Sequence, residues 1–132
     1  LPLFEAQARL AESRGLPLVV HAVRSHSDIL RLHAALRPSV PWVIHGFRGK
    51  PELARQYLSR GITLSFGEHF NPLSLASAYA SQALLMESDE SATGIDAIYL
   101  SASGVLRVEA EELKQRVRQN VERLFFGNYL KE

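Results

Sequence analysis

Four short apolar runs, separated by amphipathic stretches of helical period, constrain this chain more than any other feature. The runs are Leu18-Val19-Val20, Pro41-Trp42-Val43-Ile44, Ile62-Thr63-Leu64-Ser65-Phe66 and Ala83-Leu84-Leu85-Met86. Each is strand-length, and together they read as near-continuous apolar runs. Near-continuous apolar strands separated by helices indicate a parallel sheet covered on its faces. The helical stretches fit between them. Residues 3–14 place Leu3, Phe4, Gln7, Leu10 and Ala11 on one face, and Gly15 stops the helix. Residues 27–37 follow, with Ser27 as N-cap and an apolar stripe near Ile29, Leu30, His33 and Leu36. Pro51 opens a helix whose stripe is Leu53, Ala54, Tyr57 and Leu58. Asn71-Pro72 predicts a capped helix over 72–79. Helices over 95–103 and 109–125 close the chain, the latter through Leu113, Val117, Val121, Leu124 and Phe125.

The order is α-β-α-β-α-β-α-β-α-α, and its 132 residues suit one domain spanning 1–132. No linker, low-complexity tract or internal repeat interrupts it. Two α/β architectures accommodate this order: a small doubly wound sheet, or four consecutive βα units of a TIM barrel.

The polar residues discriminate function better than bulk composition does. Two apolar runs end in histidine, at His21 and His45, and a third ends in Glu87-Ser88-Asp89. In a parallel α/β sheet the carboxyl ends of the strands gather at one rim, where active sites are built. Two imidazoles and a carboxylate converging there suit a hard or borderline divalent cation. Such an ion acidifies bound water and polarises a phosphoryl or carbonyl oxygen, and a neighbouring carboxylate can take the proton. A single strand-end histidine is more often a structural hydrogen-bonder; two with an acidic strand end balance the readings evenly. His26 and His33 lack this placement, and His33 reads as a packing residue. Gly46-Phe47-Arg48-Gly49-Lys50 could form a phosphate-binding turn, though such a turn alone favours a structural reading. Glu68 follows a strand and either faces the site or is simply solvated.

Other chemistries find no support. There is no cysteine, which removes disulfides and thiolate metal sites. No P-loop, dinucleotide fingerprint or Gly-x-Ser-x-Gly elbow occurs. The net charge of +1 gives no broad nucleic-acid footprint, but a few phosphates could still be gripped locally. No apolar run approaches membrane-spanning length, and no signal-peptide pattern opens the chain, so no membrane partner and a cytoplasmic location are the expectation. The chain starts at Leu1 without an initiator methionine, so an upstream segment is expected.

Several blocks together resemble the TatD family of metal-dependent hydrolases. PLVVHAVRSHSDIL resembles its strand that ends in histidine before a polar loop and helix. WVIHGFRGKPELARQYLSRGITLSFG resembles its His-x-Phe-x-Gly block and the strand after it. LLMESDES is similar to its Leu-Leu-x-Glu-Thr-Asp motif, with Ser88 for threonine, and RVRQNVERLF is similar to its closing Asn-x-x-x-Leu-Phe helix. The step from ESDES to the Gly94-Ile95 helix is shorter than usual, as in a compact subgroup.

The resemblance implies a (βα)8 barrel, of which these four strands are strands five to eight. It implies hydrolysis of phosphodiesters, commonly DNA, with two divalent metal ions (Mg, Mn or Zn) in the complete protein. His21 and His45 would bind one metal. Asp89 would bind the other and act as general base. Glu87 would hold a neighbouring ligand or loop in place, with Arg48 and Glu68 supporting the site or meeting substrate. The family's His-x-His and Gly-Glu motifs, on strands one and four, are missing. The chain alone is therefore expected to bind at most one metal weakly and to hydrolyse little, and to associate with an N-terminal half or a second copy. Two other functions fit the same residues: an amidohydrolase acting on a small ester, amide or lactone, and a non-catalytic half-barrel working by assembly.

Overall fold

The computed structural model describes residues 2–21, 25–88 and 91–126. Ten elements follow in order: α1 (Pro2–Arg14), β1 (Leu18–His21), α2 (His26–Leu36), β2 (Trp42–His45), α3 (Pro51–Ser59), β3 (Thr63–Phe66), α4 (Pro72–Ala80), β4 (Leu84–Met86), α5 (Ile95–Leu106) and α6 (Ala110–Phe125). The four strands form one parallel sheet in the order β1-β2-β3-β4. Each strand lies beside its predecessor in sequence, so every connection is a single-helix crossover. No helix among the described residues is long and apolar enough to cross a membrane.

The register sorts side chains onto two faces, because alternate strand residues point oppositely. His21 pairs with His45, Ile44 with Leu64, and Leu64 with Leu84. One face therefore carries Val20, Ile44, Leu64 and Leu84, all of them buried in the core. The other carries Val19 and His21, then Val43 and His45, then Thr63 and Ser65, then Leu85 with Glu87 beyond it. On β1 this second face is open: Val19 is 49% exposed, although Val43 beside it is 2% exposed.

Local chemistry accounts for two helix ends directly. Asn71 caps α4, its side-chain oxygen accepting from the amides of Leu73 and Ser74 at 3.1 Å each, with Pro72 in the first turn. Gly15 takes φ +65 after α1. Three details differ from the sequence expectation. The N-cap of α2 is Ser25 rather than Ser27, so His26 enters the helix. Helix α5 continues to Leu106, where Arg107 ends it in the left-handed region. Helix α1 turns Phe4, Ala8 and Ala11 toward the core, leaving Leu3 73% and Leu10 51% exposed. Phe4 sets that rotation by packing edge-on against Trp42 at 5.5 Å between ring centroids.

Helix α6 adds a polar anchor to its apolar stripe. Asn120 is buried beside Leu113 and Val117, and its Nδ2 donates to the carbonyl of Leu84 at 2.9 Å. Arg123 donates to the carbonyl of Gln82 at 2.7 Å. Both bonds bind α6 to the start of β4, an edge strand of the sheet.

Candidate metal centre at the strand rim

Parallel register brings the two strand-end histidines together. His21 closes β1 and His45 closes β2 as direct partners, one strand spacing apart on the same face. Their imidazole centroids lie 4.3 Å apart with the planes inclined at 64°. A divalent ion of the zinc type takes imidazole nitrogens at ~2.1 Å. The side chain of His45 is 21% exposed, and His21 is exposed.

Glu87 organises the rim. Its amide, just past β4, donates to the carbonyl of Phe66 at 2.9 Å. Its Oε2 lies 2.9 Å from Nδ1 of His45 and accepts from the Ser65 hydroxyl at 2.5 Å and the Gly46 amide at 3.1 Å. A carboxylate at Nδ1 favours the tautomer that carries its proton there and its lone pair on Nε2. Carboxylate partners of this kind orient metal-binding imidazoles and raise their basicity. Glu87 thus joins β2, β3 and β4 at the one end of the sheet where both imidazoles stand.

The loop after His45 is shaped to allow this. Gly46 adopts φ +67, and a β-carbon there would lie 3.6 Å from Glu87 Oε1. The conformation, more than the space, favours glycine. At Gly49 the constraint is space: a β-carbon would come within 2.6 Å of Phe47 Cζ. Phe47 is buried, and its amide donates to the carbonyl of Ser65 at 2.9 Å. In His-Gly-Phe-Arg-Gly, therefore, the histidine faces the rim, the phenylalanine anchors the loop, and the glycines admit both.

Glu68 and Arg48 lie on the loops that follow β3 and β2. Glu68 accepts hydrogen bonds from Ser91 Oγ (3.1 Å) and Thr93 Oγ1, and lies 3.1 Å from His69 Nε2. It joins the loop after β3 to the loop after β4. The Thr93 hydroxyl, helped by Ser91, His69 and Arg48, holds its carboxyl below the usual range despite some desolvation. Arg48 is exposed and near enough to Glu68 to contribute to that lowering. Asp89 lies outside the described residues. Among the described residues no group of three or more His, Asp or Glu is arranged to hold a metal ion. The pair of imidazoles supplies two donors, and their nitrogen chemistry suits a borderline divalent ion.

Sequence reasoning passed over His26 and Ser65. His26 Nδ1 sits 2.7 Å from the hydroxyl of Tyr57, which lies on the apolar stripe of α3. A tyrosine hydroxyl in the core calls for a partner, which was the available signal. His33, in contrast, packs edge-on against Trp42 at 4.8 Å. Burial, and secondarily Arg60, hold it below the ordinary histidine range.

A family model for TatD-related DNases matches residues 2–126. The chain belongs to the TatD family. Two solved structures share its fold. A TatD-family hydrolase from Entamoeba histolytica superposes with a TM-score of 0.76 at 17% identity, over 93% of this chain and 55% of that one. YJJV, a TatD homolog from Escherichia coli K12, gives a TM-score of 0.70 at 23% identity, over 90% of this chain and 53% of that one. The chain thus spans little more than half the length of these TatD structures. No curated protein matches it.

Proposed function

We propose that this chain forms strands five to eight of a (βα)8 barrel in a divalent-metal-dependent phosphodiesterase, and that the substrate is DNA. The observation that carries the reading is the His21–His45 pair, set at the carboxyl end of a parallel sheet with Glu87 on His45 Nδ1. Family membership adds weight.

In this reading His21 and His45 hold one metal ion, and Asp89 contributes to a second. The bound metal supplies acidified water and charge stabilisation at the phosphoryl oxygens. The remaining work falls to the chain itself. Glu87 keeps the proton of His45 on Nδ1 and fixes the ring plane. Ser65 and the Gly46 amide fill acceptor positions on Glu87, so that its carboxylate stays oriented. Asp89 accepts the proton of the attacking water as general base. Arg48, exposed on the same rim, meets substrate phosphate as a charged donor. Glu68 braces the loop after β4 through Ser91 and Thr93.

The test is a substrate panel assayed with the protein that contains this chain. Mn2+- or Mg2+-dependent cleavage of single-stranded DNA, lost in His21→Ala and His45→Ala, supports the proposal. Turnover confined to small esters, amides or lactones points to the amidohydrolase reading. Cleavage unaffected by either substitution rejects the site.

A further inference from the structure

A second polar contact, part-buried, joins α2 to α3. Tyr57 on α3 is fully buried, and burial pushes its phenol upward in pKa. Burial also holds His26 below the ordinary histidine range. Both groups are therefore neutral near pH 7, and their 2.7 Å contact is a neutral hydrogen bond. It ties the first residue of α2 to the second turn of α3.

The ring of Phe47 is enclosed by this pair. Its centroid lies 6.2 Å from that of His26 and 6.0 Å from that of Tyr57. Phe66 meets it edge-on at 5.7 Å, and the missing side chain of Gly49 leaves room for its Cζ. Two residues before Phe47 stands His45. Between them the Gly46 amide donates to Glu87, the carboxylate that also meets His45.

We propose that His26 and Tyr57 are positioning residues whose hydrogen bond locks the Phe47 ring and, through the Phe47–Gly46 backbone, holds His45 against Glu87. The inference rests on the reading of His45 as a metal ligand.

Backbone hydrogen exchange on the full chain tests it without metal or substrate. Tyr57→Phe removes one hydroxyl and keeps the ring. Exchange at the Gly46 and Phe47 amides should rise about tenfold, the equivalent of one neutral hydrogen bond. The Leu64 amide, bonded within the sheet to Ala83, should stay within about twofold if the effect is local rather than global. His26→Ala should do the same, and the double variant should add little. His26→Asn, which keeps an acceptor for the hydroxyl, should restore much of the protection.

Equal acceleration at Leu64 and Gly46, or none at Gly46, overturns the proposal. A second readout uses Mn2+ alone. Its affinity should fall up to about tenfold in Tyr57→Phe, at the low end for residues that support metal ligands. Unchanged affinity in a variant with accelerated exchange also overturns it. Absence of Mn2+ binding by the wild-type chain would count against the metal reading itself, with the exchange ratio still deciding whether the pair positions the His45 backbone.

Discussion

On the helix-covered face of the sheet, Val20, Ile44, Leu64 and Leu84 lie side by side and exclude water. One residue along β1, β2 and β3, the opposite face carries His21, His45 and Ser65, and Glu87 joins them from just past β4. The twofold alternation of side chains along the strands separates the two sets. The covered face contributes stability through apolar burial, at roughly 25 cal/mol per Å2. The polar rim gains from charge-assisted hydrogen bonding, but it must also keep two imidazoles close together and accessible. The difference shows how one sheet can separate its folding determinants from its chemistry by a single step in register.

The comparison predicts that substitutions on the two faces fail in different assays. The largest effect belongs to Asp89→Ala, which should lower metal-dependent DNA cleavage by about 10^2–10^4-fold, the usual contribution of a general base. Its unfolding midpoint should barely move. An unfolding shift matching that of a core variant would make Asp89 structural instead. Leu64→Ala on the covered face should cost about 2–5 kcal/mol in urea unfolding, since Leu64 is fully buried. Val19→Ala, half-exposed on the other face, should stay within about 0.5 kcal/mol. Similar losses at the two positions would erase the distinction between faces. Glu87→Gln should weaken Mn2+ binding by about 10–100-fold, because the amide removes the charge beside His45 while keeping an acceptor for Ser65. Titration calorimetry measures it, and unchanged affinity would leave Glu87 without a role in holding His45.

The smallest effect is a pH dependence of stability. Burial lowers the folded pKa of His26 and His33 below 6.5. The unfolded chain then takes up protons first as pH falls through 6.5. Stability is complete above that value and declines below it. Glu12, lowered by the hydroxyl of Ser39 that donates to it, and Glu68, lowered by Thr93, titrate below the usual carboxylate range, so their contribution is lost only at lower pH. Urea midpoints should therefore drop between pH 7.5 and 5.5, and less so in His33→Gln. A flat profile in the wild type would contradict the burial of both rings.

Much of this was legible from sequence because it is local. Four apolar runs became four strands, and Asn71-Pro72 and Gly15 marked helix ends by their own backbone chemistry. His21 and His45 were visible because each directly follows an apolar run. What escaped notice depends on tertiary partners. Leu3 and Leu10 are apolar yet exposed, since Phe4 on Trp42 decides which way α1 turns. Asn120 is polar yet buried, because a carbonyl of β4 receives its amide. The bond between His26 and Tyr57 spans 31 residues, and no periodicity within either helix encodes it. The position of Ser65 beneath Glu87 follows from strand register, which a single sequence does not specify.

The proposed divalent metal pair of His21 and His45, with Glu87 fixing the tautomer of His45, is open to direct measurement. Imidazole 15N NMR of the full chain during Zn2+ titration addresses it most directly. The account predicts that both histidines shift together, with the Nδ1 proton of His45 retained and Nε2 taking the metal. No response at His21 and His45, or a response confined to His69 and His26, would contradict it.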